Sequence, residues 1–116
     1  MTAASMPLLE VRTYHLLPDR REYFEARSRR LTFPLFRRHG FRVERFWTAT
    51  DDPLTVVYLL GWESLEERDR KQAAFDADPD WVAMMTAADF EPSIAEAEHV
   101  VLERFVEALE TEEVVS

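Results

Sequence analysis

The sequence contains no cysteine. That excludes disulfide scaffolds, thiolate zinc centres, iron–sulfur clusters and a cysteine nucleophile, and it makes a reducing, cytoplasmic location the expectation. Glycine is almost as scarce, with only Gly40 and Gly61. A phosphate-cradling loop needs more, so classical dinucleotide or nucleoside-triphosphate binding is not expected and no cofactor is called. No apolar run approaches the roughly 20 residues of a membrane-spanning helix. Residues 1–7 carry neither the basic stretch nor the long apolar stretch of a signal peptide.

Positive charge is also in short supply. There are 14 Lys/Arg against 23 Asp/Glu, a net charge of −9, which disfavours nucleic acid as a partner. The distribution is uneven. Residues 1–50 hold ten arginines and five acids, and residues 51–116 hold four basic and eighteen acidic residues. The two halves either pair across the fold or across a dimer interface, or the arginines form a patch for an anionic ligand. Arg20, Arg21, Arg27, Arg29, Arg30, Arg37 and Arg38 crowd into one segment, a density typical of a solvated face.

What is present is ordinary for a folded domain: 116 residues, 47% hydrophobic and 32% charged. One core fits in this length. Residues 8–17 alternate as a strand with apolar side chains on both faces. Asp19, with Glu22 three residues later, predicts a capped helix over about 20–39, kinked or split by Pro34. His39 and Gly40 end it, Gly40 in the left-handed position. Residues 41–50 and 54–62 form a hairpin around an Asp51-Asp52-Pro53 turn. Ser64 and Glu67 cap a helix to about Ala77, and Asp78-Pro79-Asp80 starts a continuation that Pro92 ends. Residues 94–106 form the last strand. The domain spans 1–106, followed by an acidic tail, 107–116.

The order β-α-β-β-α-β predicts an α+β, ferredoxin-like domain: a four-stranded antiparallel sheet with both helices on one face. Yet residues 54–62 are apolar on both faces. An open apolar sheet face calls for a second copy, so a homodimer is expected, a dimeric α+β barrel enclosing a chamber for a small-molecule ligand.

Five short motifs carry a resemblance to a known family. Glu10-Val-Arg-Thr-Tyr14, His39-Gly-Phe41, Phe46-Trp-Thr48, Leu65-x-x-Arg68-Asp69 and Asp78-Pro-x-Trp81 resemble, in order and spacing, those of NIPSNAP-like domains. The resemblance covers roughly residues 8–105. It implies the dimeric ferredoxin-like barrel, akin to antibiotic-biosynthesis monooxygenase and EthD-type domains, without implying one activity. Many relatives carry His, Trp and Tyr where this chain has Tyr58, Leu60 and Trp62, which implies a re-tuned pocket.

Candidate functional residues follow from shared strand faces. Glu10, Arg12 and Tyr14 share one face. Arg12 is either a structural partner of Glu10 or, in a barrel interior, a fixed cation for a carbonyl or enolate, with Tyr14 as a phenol donor. Tyr58, Leu60 and Trp62 on one strand, and Arg45 and Trp47 on another, either pack against helices or line an aromatic ligand site. His99 is the proton-transfer candidate because its unperturbed pKa suits neutral pH. Glu96 and Glu98 face away from it. His15 flanks the sheet edge or packs under the first helix. A three-histidine metal site is not expected, and no metal is called. Ser28, Ser64 and Ser93 lack a nucleophile-elbow context.

The functional expectation is a cofactor-independent enzyme of cyclase, isomerase or monooxygenase type acting on an aromatic or polyketide-like metabolite. Arg12, Tyr14 and His99 are its catalytic residues, and Glu10, Arg45, Trp47, Tyr58, Leu60 and Trp62 are its binding residues. The alternatives are a non-catalytic ligand-binding or protein-interaction module, or haem held by His99 or His15.

Overall fold

The structure is a computed structural model and describes residues 3–105. The acidic tail expected at 107–116 lies outside the described residues. The elements are a short 3-10 turn (Ala3–Ser5), β1 (Leu8–Leu16), α1 (Arg21–Arg27), a π-helical segment (Ser28–Thr32), α2 (Phe33–Arg38), β2 (Arg42–Ala49), β3 (Asp52–Trp62), α3 (Leu65–Asp76), α4 (Pro79–Met85) and β4 (Ile94–Glu103). The four strands form one sheet in the order β2-β3-β1-β4, with every neighbouring pair antiparallel. The molecule is thus the expected α+β, ferredoxin-like sheet with its helices on one face. It measures 57 × 35 × 19 Å.

Pro34 explains the first helical stretch. It has no N–H to donate and would clash with the preceding turn of an α-helix. The chain relieves this by widening the turn: the Phe33 N–H bonds the carbonyl of Ser28, five residues back. The helical direction continues, so Pro34 neither breaks the stretch nor ends it. The expected cap at its start is absent. Asp19 has φ +65°, a left-handed turn conformation that aspartate tolerates, and Arg20 stands at the N-cap with no side-chain bond.

The other caps form as the sequence indicates. Ser64 Oγ accepts the Glu67 N–H at 3.1 Å, while the Glu67 carboxylate accepts the Glu63 N–H at 2.9 Å, one residue earlier than a standard capping box. Asp78 accepts the Asp80 N–H and holds His39 Nε2 at 2.7 Å, tying the end of α2 to the start of α4. Gly40 has φ +72°, the C′ conformation that glycine adopts freely.

The hairpin turn is tighter than the sequence suggests. Ala49 pairs with Asp52, leaving only Thr50 and Asp51 as the loop, and Pro53 lies inside β3 at a register shift, unpaired with β2. A second irregularity in β2 matters more. Val43 pairs with Leu60 and Phe46 with Tyr58, so three residues of β2 oppose two of β3. This bulge turns both Val43 and Phe46 toward the helices.

The core lies between helices and sheet. Leu35, Phe36, Phe41, Tyr58, Leu60, Trp62 and Phe75 form its main cluster. Burying a side chain of this size stabilises by about 1.5–3 kcal/mol. The opposite face carries Leu9, Val11, Val57 and Leu59 on the central strands and Val100 and Leu102 on β4. Val100 and Leu102 are exposed, as is Trp47 on β2. One end of this face is covered by the N-terminal turn. A Cβ on Gly61 would stand 2.6 Å from the backbone of Ala3 and from Met6, so only glycine admits that contact.

Candidate functional site

Glu10 organises the site. It is fully buried on β1, and its carboxylate accepts six hydrogen bonds. Oε1 takes Arg12, Trp62 Nε1 and Arg68 Nε, and Oε2 takes Arg12 Nε, an outer Arg68 nitrogen and His99 Nδ1. Burial alone would raise its pKa. The donors from Arg68, Arg12 and Trp62 and the Arg12 charge outweigh burial and hold it at about 2. Glu10 is therefore ionised at neutral pH.

An ionised carboxylate accepts only. His99 Nδ1, 3.2 Å away, must carry the proton in that contact, and neutral His99 then keeps its lone pair on Nε2. His99 is also held below the ordinary histidine pKa, first by burial and then by the Arg12 charge, with Glu10 pulling the other way. Glu10 thus fixes the tautomer of a neutral imidazole.

Arg12 is buried and nearly saturated. Besides Glu10 it donates to Gln72 Oε1 at 2.7 Å and to the Tyr58 hydroxyl at 3.3 Å. Tyr58 lies 2.7 Å from the Tyr14 hydroxyl. Burial raises the Tyr58 pKa well above its usual value, so it stays a neutral phenol. Either hydroxyl can donate in that contact, and in the arrangement where Tyr58 donates to Tyr14 the Tyr14 O–H is left for a further acceptor.

These groups meet at a cavity of about 340 Å³ between sheet and helices, lined by Arg12, Tyr14, Tyr58 and His99 at one part and by Arg27, Thr32, Phe75 and Trp81 elsewhere. The cavity therefore lies within one chain and on the helix side of the sheet. The sequence grouped Glu10, Arg12 and Tyr14 on one face of β1 and left open whether that face looks into a barrel. In the structure β1 turns these residues under the helices, and its open face carries Leu9, Val11, Thr13 and His15.

The remaining candidates separate. Tyr58 joins the cavity. Leu60 and Trp62 are fully buried in the core, where Trp62 touches the site only through its bond to Glu10. Arg45 and Trp47 lie on exposed β2 positions away from the cavity, because the bulge presents Phe46, stacked on Tyr58 at 4.1 Å, in their place. His15 points away from the first helix and bonds Thr55 on the open face. Glu96, Glu98 and His15 are the one group among the described residues whose ligand atoms cluster within 4.8 Å, and both carboxylates are exposed. Sequence reasoning passed over Arg68, Gln72 and Thr32, and named Arg27 only within the arginine patch weighed for an anionic ligand. Arg68 had a signal, since it lies in one of the five quoted motifs, whereas Gln72 and Thr32 had none.

Sheet order, one-sided helices and an enclosed polar cluster define a ferredoxin-like α+β domain with a pocket of its own. The chain belongs to the NIPSNAP family, whose profile matches residues 9–106. It is similar to an uncharacterized NIPSNAP-like domain protein from Burkholderia xenovorans, with 25% identity, 84% of each chain covered and a TM-score of 0.71. A NIPSNAP family protein with unknown function from Agrobacterium tumefaciens shares 21% identity, with 86% of this chain and 91% of that one covered and a TM-score of 0.69. The fold is also that of a putative antibiotic biosynthesis monooxygenase from Nitrosomonas europaea, at 18% identity, 85% and 99% coverage and a TM-score of 0.58. No curated protein matches the chain. Among the described residues no helix is long and apolar enough to cross a membrane.

Proposed function

We infer that the cavity binds an aromatic small molecule and catalyses a proton transfer on it without a cofactor. The observation that carries this reading is the Glu10–His99 contact beside the Tyr14 hydroxyl at one cavity wall. His99 Nε2 takes a proton from a carbon next to a carbonyl. The electrons move to the carbonyl oxygen, and the resulting enolate accepts the Tyr14 O–H. The His99 imidazolium then returns the proton, to the same or to a conjugated carbon, completing an isomerisation with no net change in oxidation. Arg12 acts through Tyr58 and is a positioning residue rather than a catalytic one.

The test uses 2-tetralone in deuterated buffer, with exchange at its activated CH2 followed by NMR. Exchange above the buffer rate is expected, abolished in His99→Gln and reduced about 10²-fold in Tyr14→Phe. Tetralone that binds but exchanges at the buffer rate leaves a non-catalytic binding module. A homodimer is part of the same proposal. The apolar side chains of the open face support it, since a patch of this kind on a soluble chain marks an interface.

A further inference from the structure

Of the seven arginines crowded before Gly40, Arg27 differs in kind. It is 6% exposed, and among the described residues its guanidinium makes no hydrogen bond and no ion pair. Its carbon centre sits 5.4 Å from the Phe24 ring and 5.7 Å from the Trp81 ring. Ring faces attract a cation but do not satisfy its N–H donors. A desolvated charge without a counter-ion is costly to keep. Five residues on, Thr32 Oγ1 is also buried without a partner.

Both side chains line the cavity that holds Tyr14 and His99. In a regular α-helix, residues five apart point roughly 140° away from one another. The wide turn of the Ser28–Thr32 segment, which accommodates Pro34, brings them to the same cavity. Widened turns of this kind are frequent at functional sites.

We propose that Arg27 and Thr32 form an anion subsite, and that the natural ligand is an aromatic carboxylate whose carboxylate they hold. This rests on the cavity being the ligand site and names the ligand class. The guanidinium and the Thr32 hydroxyl donate to the carboxylate oxygens, and the aryl body lies along Trp81 and Phe75. A ligand carboxylate supplies the counter-charge that no side chain among the described residues gives Arg27. Burial also lowers the Arg27 pKa, in keeping with an uncompensated charge.

The experiment is calorimetric titration of the wild-type protein with 2-naphthoate and with its neutral analogue 2-naphthamide, repeated in Arg27→Met and Thr32→Val. Wild type is expected to favour the carboxylate by at least about tenfold. Arg27→Met removes that preference, weakening naphthoate far more than naphthamide. It also raises the ligand-free Tm by about 2–6 °C, because an unpaired buried charge is gone. Thr32→Val weakens naphthoate more than naphthamide and so narrows the preference, and this variant decides the matter should Arg27→Met not fold. Equal affinity for both probes in wild type, or a preference that survives in the variants, overturns the subsite and leaves the cavity reading standing. Failure of both probes to bind overturns both.

Discussion

His99 Nδ1 lies 3.2 Å from Oε2 of Glu10, across 89 residues of sequence. The contact joins an edge strand to a central one, since His99 pairs with Arg12 on β4 and β1. One carboxylate thereby holds two arginines, an indole and an imidazole. At neutral pH the arrangement keeps His99 uncharged with its lone pair on Nε2. Nitrogen-15 NMR is expected to show the Nδ1–H tautomer and a titration below the ordinary 6.5. Glu10→Gln removes the charge that fixes this tautomer, and mixed tautomers in the wild type would contradict the assignment.

Glu10 also governs acid stability. Its folded pKa, like those of Glu67 and Asp78, is about 2, against ordinary values of 4.5, 4.5 and 3.8. Burial opposes the shift at Glu10 and its donors overcome it. At Glu67 the Arg42 hydrogen bond leads, and at Asp78 the bond to His39 does. For groups depressed in this way the unfolded state binds protons first. Their stabilisation is complete above the ordinary values, and it declines from about pH 4.5 until pH falls through about 2. Denaturant melts across this window are expected to show that decline. Glu10→Gln flattens its own share of it and costs about 3–5 kcal/mol at pH 7, because Arg12 loses its buried counter-charge.

Gly61 tests the cover over one end of the open face. Gly61→Ala places a methyl group where Ala3 and Met6 already stand. A loss of about 1–3 kcal/mol is expected, with faster amide exchange confined to residues 3–6. Unchanged stability would show that the turn is not held against β3.

The open face is tested by association. Sedimentation of the wild type is expected to give a dimer. Leu59→Arg, in the middle of β3 and paired with Val11, is expected to give a folded monomer. A monomeric wild type at tens of micromolar would remove the homodimer without touching the cavity, since the cavity is built within one chain.

Much of this was legible in the sequence because it is local. Alternation gave the strands, Ser64 and Asp78 gave the caps, and Gly40 marked a left-handed turn, all from interactions within a few residues. The grouping of Glu10, Arg12 and Tyr14 followed from the two-residue period of a strand. Where local signals misled, a competing local geometry had won. Asp19 took the left-handed turn that aspartate tolerates and so could not cap, and the bulge in β2 exchanged Phe46 for Arg45 and Trp47 at the helix face.

The sequence by itself determined the order of elements, the one-sided sheet and which residues share a strand face, because periodicity and caps are written in neighbouring positions. The tertiary structure alone decided which face the helices cover, and so placed Arg12, Tyr14 and His99 on the helix side of the sheet. It also decided that Arg27, among seven similar arginines, is the one left buried without a hydrogen-bond partner among the described residues. Both depend on how distant segments pack, and no short-range pattern encodes the side of a two-faced apolar sheet on which a helix settles.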